Sequence, residues 1–219
     1  MILVVGGIKG GVGKSTLASN LAVLVAQSGR DVLLVDGDSQ ETTMTWAAAR
    51  GERESVSTDR VTTVALVGKG VRDELRRLKP KYEVIVIDAG ARDTTTQRSA
   101  LTIADAILLP FAPRGPDLWT IDAAVEMITE IKSVNEGLRA LALVNRADPI
   151  GGDNAEAEAA FAEHADILTP APVRVGNRKA IAQAHLMGLA ANEMGRPDPK
   201  AVAELKALYR YVFNTEVAS

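Results

Sequence analysis

The 219-residue chain has no cysteine, which removes disulfides, thiolate metal sites and cysteine nucleophiles from consideration. Imidazole is scarce too. Only His164 and His185 offer it, and their separation has no metal-ligand spacing. No apolar run approaches the roughly 20 residues that a membrane span requires. Repeats and low-complexity tracts are missing, and the polar stretch Gly51–Arg60 reads as a surface connection rather than a domain boundary. The chain opens on an apolar strand pattern instead of a charged leader, so a cytoplasmic protein is expected. At 47% hydrophobic, residues 1–219 suffice for one well-filled domain.

Strand and helix patterns alternate along nearly the whole chain, which predicts an α/β fold with a mainly parallel twisted sheet covered by helices on both faces. Strands are expected at Ile2–Val5, Val32–Val35, Thr62–Leu66, Val84–Ile87, Ala106–Leu109, Leu138–Val144 and around Val173. Several are unbroken Val/Ile/Leu runs, the pattern of strands buried on both sides. Helices are expected after Ser15, Ser39, Lys69, Thr94, Pro116, Gly152, Arg178 and Asp198. In the first, Leu17, Leu21, Leu24 and Val25 share a face. The last has favourable entry chemistry, with Asp198 as cap and Pro199 at the first helical position.

Between the first strand and the first helix stands Lys9-Gly10-Gly11-Val12-Gly13-Lys14-Ser15-Thr16. Glycines at a strand-to-helix turn let the backbone wrap closely, and the freed N–H groups and the helix N-terminus then face an anion. The loop reads as a nucleotide-phosphate cradle. Lys14 is placed to reach the β- and γ-phosphates, the Ser15 hydroxyl to bind Mg²⁺, and Thr16 to donate to an α-phosphate. The strict phosphate-loop pattern wants glycine where this chain has Ile8, and a second lysine, Lys9, precedes the paired glycines instead.

Three more strand ends carry chemistry. Val32–Val35 runs into Asp36-Gly37-Asp38-Ser39-Gln40, and carboxylates at the C-terminal end of a parallel strand lie where ligand crevices form in open α/β sheets. Tyr82–Ile87 ends in Asp88, the form of a Walker B strand whose aspartate holds Mg²⁺ through water. Ala89-Gly90-Ala91 follows, a small backbone able to sense a γ-phosphate. Leu141–Val144 ends in Asn145-Arg146-Ala147-Asp148. Asn145 can donate to and accept from a purine edge, and Asn145 with Arg146 forms the candidate base-side pair.

The Lys-Gly-Gly-Val-Gly-Lys-Ser loop resembles the deviant Walker A box of the ParA/MinD family of dimeric ATPases. The match extends over Asp36–Gln40 (with Ser39 in place of a proline), the Asp88 strand, the Asn145 strand, Ala104–Pro110 with the following helix, and the Pro-Val-Arg segment at Arg174. The Asp-Ala-Gly-Ala form at residues 88–91 resembles the short, ParF-type partition ATPases, as does a chain that starts at the phosphate loop. The resemblance implies a P-loop NTPase domain using ATP and Mg²⁺, with adenine contacted at Asn145. The Asn145–Asp148 run has a slight likeness to the guanine reader of GTPases, against which Arg146 and the deviant loop argue. By the same resemblance Lys9 reaches across a homodimer to the partner's nucleotide, Asp36 orients the metal's water shell, and Asp38 positions the attacking water. Lys9, Lys14 and Asp38 are the implied catalytic set. Gly10 to Thr16 form the phosphate set, and Ser15, Asp36 and Asp88 the metal set. Asp117 is expected to meet either Lys9 or the partner protomer, or to serve as a helix N-terminal aspartate.

The net charge of −3 is unevenly spread: residues 1–173 carry −6 and residues 174–210 carry +4. With the resemblance, this basic quarter implies non-specific DNA binding in the ATP state and a nucleoid-associated protein. The preferred phosphate contacts are Arg174, Arg178 and Lys179, and Arg196, Lys200, Lys206 and Arg210 rank second. A ParB-like centromere-binding or adaptor protein would stimulate hydrolysis and release the dimer. Three rival tasks use the same machinery: a MinD-like membrane positioner, a positioner of protein cargo such as carboxysomes or chemoreceptors, and a metabolic ligase or synthetase. The first needs a terminal amphipathic helix with a basic polar face. Leu205, Leu208 and Val212 form a stripe that is expected to dock on the core instead, and the end from Phe213 to Ser219 lacks lysine.

Overall fold

Seven strands form one parallel sheet in this computed structural model, which describes residues 1–53, 60–90 and 94–213. They are β1 (Ile2–Val5), β2 (Val32–Gly37), β3 (Val61–Ala65), β4 (Val84–Ala89), β5 (Ala106–Phe111), β6 (Arg139–Ala147) and β7 (Thr169–Gly176), in the spatial order β3-β2-β4-β1-β5-β6-β7. Every pairing is parallel. The helices are α1 (Lys14–Gln27), α2 (Thr42–Gly51), α3 (Val71–Leu78), α4 (Thr94–Leu101), α5 (Gly115–Leu118), α6 (Ile121–Lys132), α7 (Asp153–Ala162), α8 (Lys179–Leu186) and α9 (Pro199–Val212).

β1, β2, β4 and β5 are buried along their full length, so their side chains feed two apolar layers. Ile2, Val4, Leu33 and Ile85 face the layer with residues of α3, α4, α6 and α7. Leu3, Val5, Leu34 and Val86 face the layer with α1, α9, Trp46 of α2 and Ile181 of α8. Here α1 departs from the single face expected of it, because every residue from Leu17 to Val25 is buried. It lies under α8 and α9 as well as on the sheet, and a helix covered on several sides is apolar all round.

The expected elements are all present, with local shifts that have local causes. α2 begins at Thr42 rather than directly after Ser39. The Asp38 carboxylate accepts from the Gln40 N–H, the Glu41 N–H bonds to the Asp38 carbonyl, and Glu41 takes φ +53. This aspartate turn competes with helix until it is complete. β7 extends well beyond Val173. Its two prolines, Pro170 and Pro172, masked its length in the sequence, and both are tolerated because β7 is an edge strand. The helix expected after Pro116 is split into α5 and α6. Gly51–Arg60 lies largely, and Ala91 wholly, outside the described residues, as do residues 214–219.

α9 follows the expected design closely. The Asp198 carboxylate accepts from the N–H groups of Lys200 and Ala201, Pro199 occupies the first turn, and Leu205, Leu208 and Val212 are buried. The stripe is spent on the core. Asp198→Ala removes this cap, so the expected cost is about 1 kcal/mol. Urea unfolding should show a lower midpoint at unchanged slope, and an unchanged midpoint would mean that α9 does not depend on its cap.

Candidate nucleotide site

The register of the sheet brings the predicted carboxylates together. Asp36 at the end of β2 pairs with Asp88 at the end of β4, and Asp88 pairs with Val5, the residue that leads into the glycine loop. The loop turns through left-handed backbone at Gly11 (φ +78) and Gly13 (φ +91). Gly13 is constrained twice, because a Cβ there would also lie 2.6 Å from the Asn145 side-chain nitrogen.

Lys14 is buried, and its ammonium donates to the Lys9 carbonyl at 2.9 Å. Burial lowers its pKa, while the nearby Asp88 and Asp38 charges partly oppose that shift. With phosphate oxygens at hand the same ammonium would exchange one backbone acceptor for anionic ones. Asp36 is fully buried. Its two oxygens accept from the N–H groups of Asp38 (3.0 Å) and Met44 (2.8 Å), and burial raises its pKa against those bonds. Asp88 accepts from the Thr43 hydroxyl at 2.7 Å and is also hydrogen bonded by Ser15. Burial pushes its pKa up to about 6, with the two hydroxyl bonds acting in the opposite sense.

The donor chemistry here suits a hard cation. No cluster of three His, Cys, Asp or Glu side chains exists among the described residues that could hold a metal by itself. A hydroxyl, two desolvated carboxylates and an adjoining phosphate cradle make the donor set that suits Mg²⁺, which is held by few protein groups together with phosphates and water. The cradle itself borders a cavity of about 370 Å³, lined by Gly10 to Thr16 except Val12, together with Asp38, Gln40, Thr42 and His185. The Asp38 carboxylate sits against Gly90, where a Cβ would come within 2.5 Å of its carbon.

A second cavity, of about 240 Å³, opens on the other side of Gly13 and Thr16. Asn145 and Arg146 line it, with Gly176, Arg178 and Ile181 opposite. The Asn145 amide nitrogen donates to the Val12 carbonyl at 2.6 Å. One of its two N–H groups is therefore committed to the loop, which leaves the other N–H and the carbonyl oxygen for a ligand. Arg146 stands at φ +54 beside the register shift between β6 and β7.

Lys9 does not line the phosphate cavity. Its ammonium pairs with Asp117 at the start of α5, 3.1 Å away. Arg174 and Arg178 are both engaged as well. Arg174 forms a two-pronged pair with Glu158, and Arg178 forms one with Glu204 while lining the 240 Å³ cavity. Lys179 is exposed, with no ion-pair partner among the described residues. Sequence reading missed Thr43, which holds Asp88, and His185, which borders the cradle. Neither lies in a recognisable motif, and only the packing of α2 and α8 brings them in.

The profile described as the CobQ/CobB/MinD/ParA nucleotide binding domain matches residues 3–187. The chain belongs to this family. It is 30% identical over 151 residues, 67% of each chain, to the maintenance of carboxysome distribution protein A of Halothiobacillus neapolitanus. It is 27% identical over 156 residues to the chromosome-partitioning ATPase Soj of Thermus thermophilus, covering 59% of this chain and 61% of that one. Among solved structures, a Cyanothece McdA–ATP complex superposes with a TM-score of 0.78 at 18% identity, over 97% of this chain and 96% of the other. At that identity the likeness concerns the fold. The family is described by its nucleotide-binding domain, and the glycine-loop cradle with the two cavities beside it is the candidate place for that binding.

The raised Asp88 pKa has a consequence for stability. Between about 4, the value expected in an unfolded chain, and about 6, the native state binds more protons than the unfolded one. The Asp88 contribution therefore makes stability fall as pH rises through that window. Asp36 adds in the same direction. Denaturant titrations of the nucleotide-free protein at pH 5 and pH 7 should show this slope, and Asp88→Asn should flatten it. An equal slope in the variant would mean that Asp88 is not the shifted group.

Proposed function

We propose that the protein is a Mg-ATP-dependent dimerising ATPase that partitions DNA. It binds non-specific DNA in its ATP state and is released when a cargo-bound, ParB-like partner protein stimulates hydrolysis. The observation that carries this reading is the pair of lysines on one loop. Lys14 sits inside the cradle, whereas Lys9 is turned away from it and held on Asp117. A cation next to a phosphate site, yet outside it, is available to the nucleotide of a second copy.

In this reading Gly10 to Thr16 bind the phosphates, with Lys14 and the loop N–H groups countering their charge. Mg²⁺, when bound, would draw charge from the β- and γ-phosphate oxygens, and Ser15, Asp36 and Asp88 would hold it, directly or through its waters. Asp38 positions the attacking water, which matters more here than its basicity, because phosphoryl transfer depends chiefly on positioning and charge stabilisation. Asn145 keeps its carbonyl oxygen and one N–H, which can pair with the amino group and the adjoining ring nitrogen of adenine. Lys179 becomes the first-rank DNA contact, since Arg174 and Arg178 already have carboxylate partners.

A second reading, a positioner of protein cargo, is favoured by the relative whose name refers to carboxysome distribution. It shares every step except the identity of what the partner carries. The membrane reading has less support, because the apolar stripe of α9 that could face a bilayer is buried on the core.

The first test is binding to a non-specific duplex without nucleotide, with ADP, and with ATP plus Mg²⁺, each at two salt concentrations. Binding should appear only with ATP and should weaken steeply with salt, because each phosphate contact contributes about −0.9 to the log–log slope. Lys179→Glu should weaken binding in the ATP state while leaving ATP affinity unchanged. Absence of DNA binding in every state would overturn the partition reading.

The role of Asp38 is tested through its neighbour. Gly90→Ala places a methyl group where the Asp38 carboxylate now sits. Displacements of about 1 Å cost on the order of 100-fold in rate. ATP turnover should fall by about that factor with nucleotide affinity nearly unchanged. Wild-type turnover in Gly90→Ala would remove Asp38 from the positioning role.

A further inference from the structure

The segment from the end of α8 to Glu193 makes contacts that the nucleotide reading does not use. It grips two helices at once. On the α1 side, His185 Nδ1 and the Ser19 hydroxyl lie 3.1 Å apart, and the Ala191 N–H donates to the Asn20 side-chain oxygen at 2.8 Å. Ser19 and Asn20 both donate in turn to the carbonyl of Thr16, at 3.1 and 2.7 Å. Thr16 is the last residue of the phosphate loop motif.

On the α2 side the buried residues are Thr43, Trp46 and Arg50, one stripe at i, i+3 and i+7. Thr43 holds Asp88. Trp46 donates to the Leu189 carbonyl and stacks on the His185 ring at 14° with centroids 6.4 Å apart. The Arg50 guanidinium lies over the Trp46 ring, forms a two-pronged pair with Glu193 at 2.7 and 2.8 Å, and donates to the Gly188 carbonyl. Gly188 itself has φ +69, and a Cβ there would come within 2.3 Å of the Arg50 backbone nitrogen. Only glycine permits that approach.

We propose that this segment, through His185 and Gly188, is a positioning element for ATP hydrolysis. It fixes α2, which carries the metal-side contacts Thr43 and Met44 and follows Asp38, relative to the phosphate-loop turn of α1. His185 and Gly188 are positioning residues that act through Ser19, Trp46 and Arg50. Loosening the segment leaves the glycine loop and Lys14 in place, His185 touching only the edge of the cradle cavity, and lets Asp38 and the carboxylates drift from it. The expected effect is therefore on kcat rather than on KM.

This inference rests on the ATPase reading, and two readouts separate their failures. The first is kinetic. Gly188→Ala and the milder His185→Ala should each lower kcat by about tenfold, the upper part of the range seen when coupling residues are changed, with KM for ATP within about twofold. His185→Asn, which keeps a polar group near the Nδ1 position, should recover part of the loss. The second is optical. With Trp119→Phe, Trp46 is the only tryptophan; its emission should change on adding Mg²⁺ with a non-hydrolysable ATP analogue, and His185→Ala should abolish that change. Wild-type protein without ATP turnover would defeat the ATPase reading itself. An active wild type with unchanged kcat in both variants, equal losses in kcat and affinity, or a Trp46 signal indifferent to nucleotide would overturn the positioning role.

Discussion

Everything at this crevice depends on keeping ionisable groups charged, or nearly so, where water is excluded. Lys14, Asp36 and Asp88 are all buried at the C-terminal edge of a sheet whose central strands are inaccessible to solvent. An unpaired charge in such a place is costly enough that a group neutralises instead. The local structure can be read as a response to that cost. Asp36 takes two backbone N–H bonds, Asp88 takes two hydroxyl bonds, and Lys14 folds back on the Lys9 carbonyl. These bonds do not complete the compensation, since all three pKa values still shift in the direction that burial dictates. A site of this kind is poised for an ion and a polyanion that would supply what the protein withholds.

Most of this was legible in the sequence because it is encoded by contiguous residues. Unbroken Val/Ile/Leu runs announced strands buried on both faces, and a parallel sheet places their C-terminal ends along one edge. Asp36, Asp88 and Asn145 therefore had to lie near the glycine loop once the fold class was assigned. What escaped was encoded by packing. His185 and Thr43 belong to no motif, and they reach the site because α1 is wrapped on several sides and α2 delays its start until the Asp38 turn is made. The full extent of β7 around Val173 escaped for a different reason: two prolines argue against a central strand and say little about an edge.

The basic C-terminal quarter shows why charge counted along a sequence overstates charge available at a surface. Of the three basic residues preferred as phosphate contacts, Arg174, Arg178 and Lys179, two are paired in space. Arg174 donates to Glu158 and Arg178 to Glu204, whereas Lys179 has no ion-pair partner among the described residues. Glu204 lies within the basic quarter, whereas Glu158 lies outside it, on α7. A count along the chain separates such partners; the fold joins them. Electrostatic attraction for a polyanion on this side of the molecule must accordingly come from residues such as Lys179, with Arg174 joining β7 to α7 and Arg178 joining the start of α8 to α9.

The contrast between Arg178 and Lys9 carries the same argument to the nucleotide. Arg178 is held by two parallel bonds to Glu204, a geometry that adds strength and direction. Lys9 is held by one contact to Asp117 and remains more than a third exposed. Pairs of that exposed kind contribute only about 0–1 kcal/mol, so little opposes their exchange for a stronger partner. A lysine that served only to close its own loop would be expected inside the cradle, as Lys14 is. Lys9 instead sits on a weak, replaceable carboxylate at the rim. In the proposed cycle that weakness has a use, because a side chain that must leave one partner for the phosphates of another molecule has to be kept in place without being kept tightly.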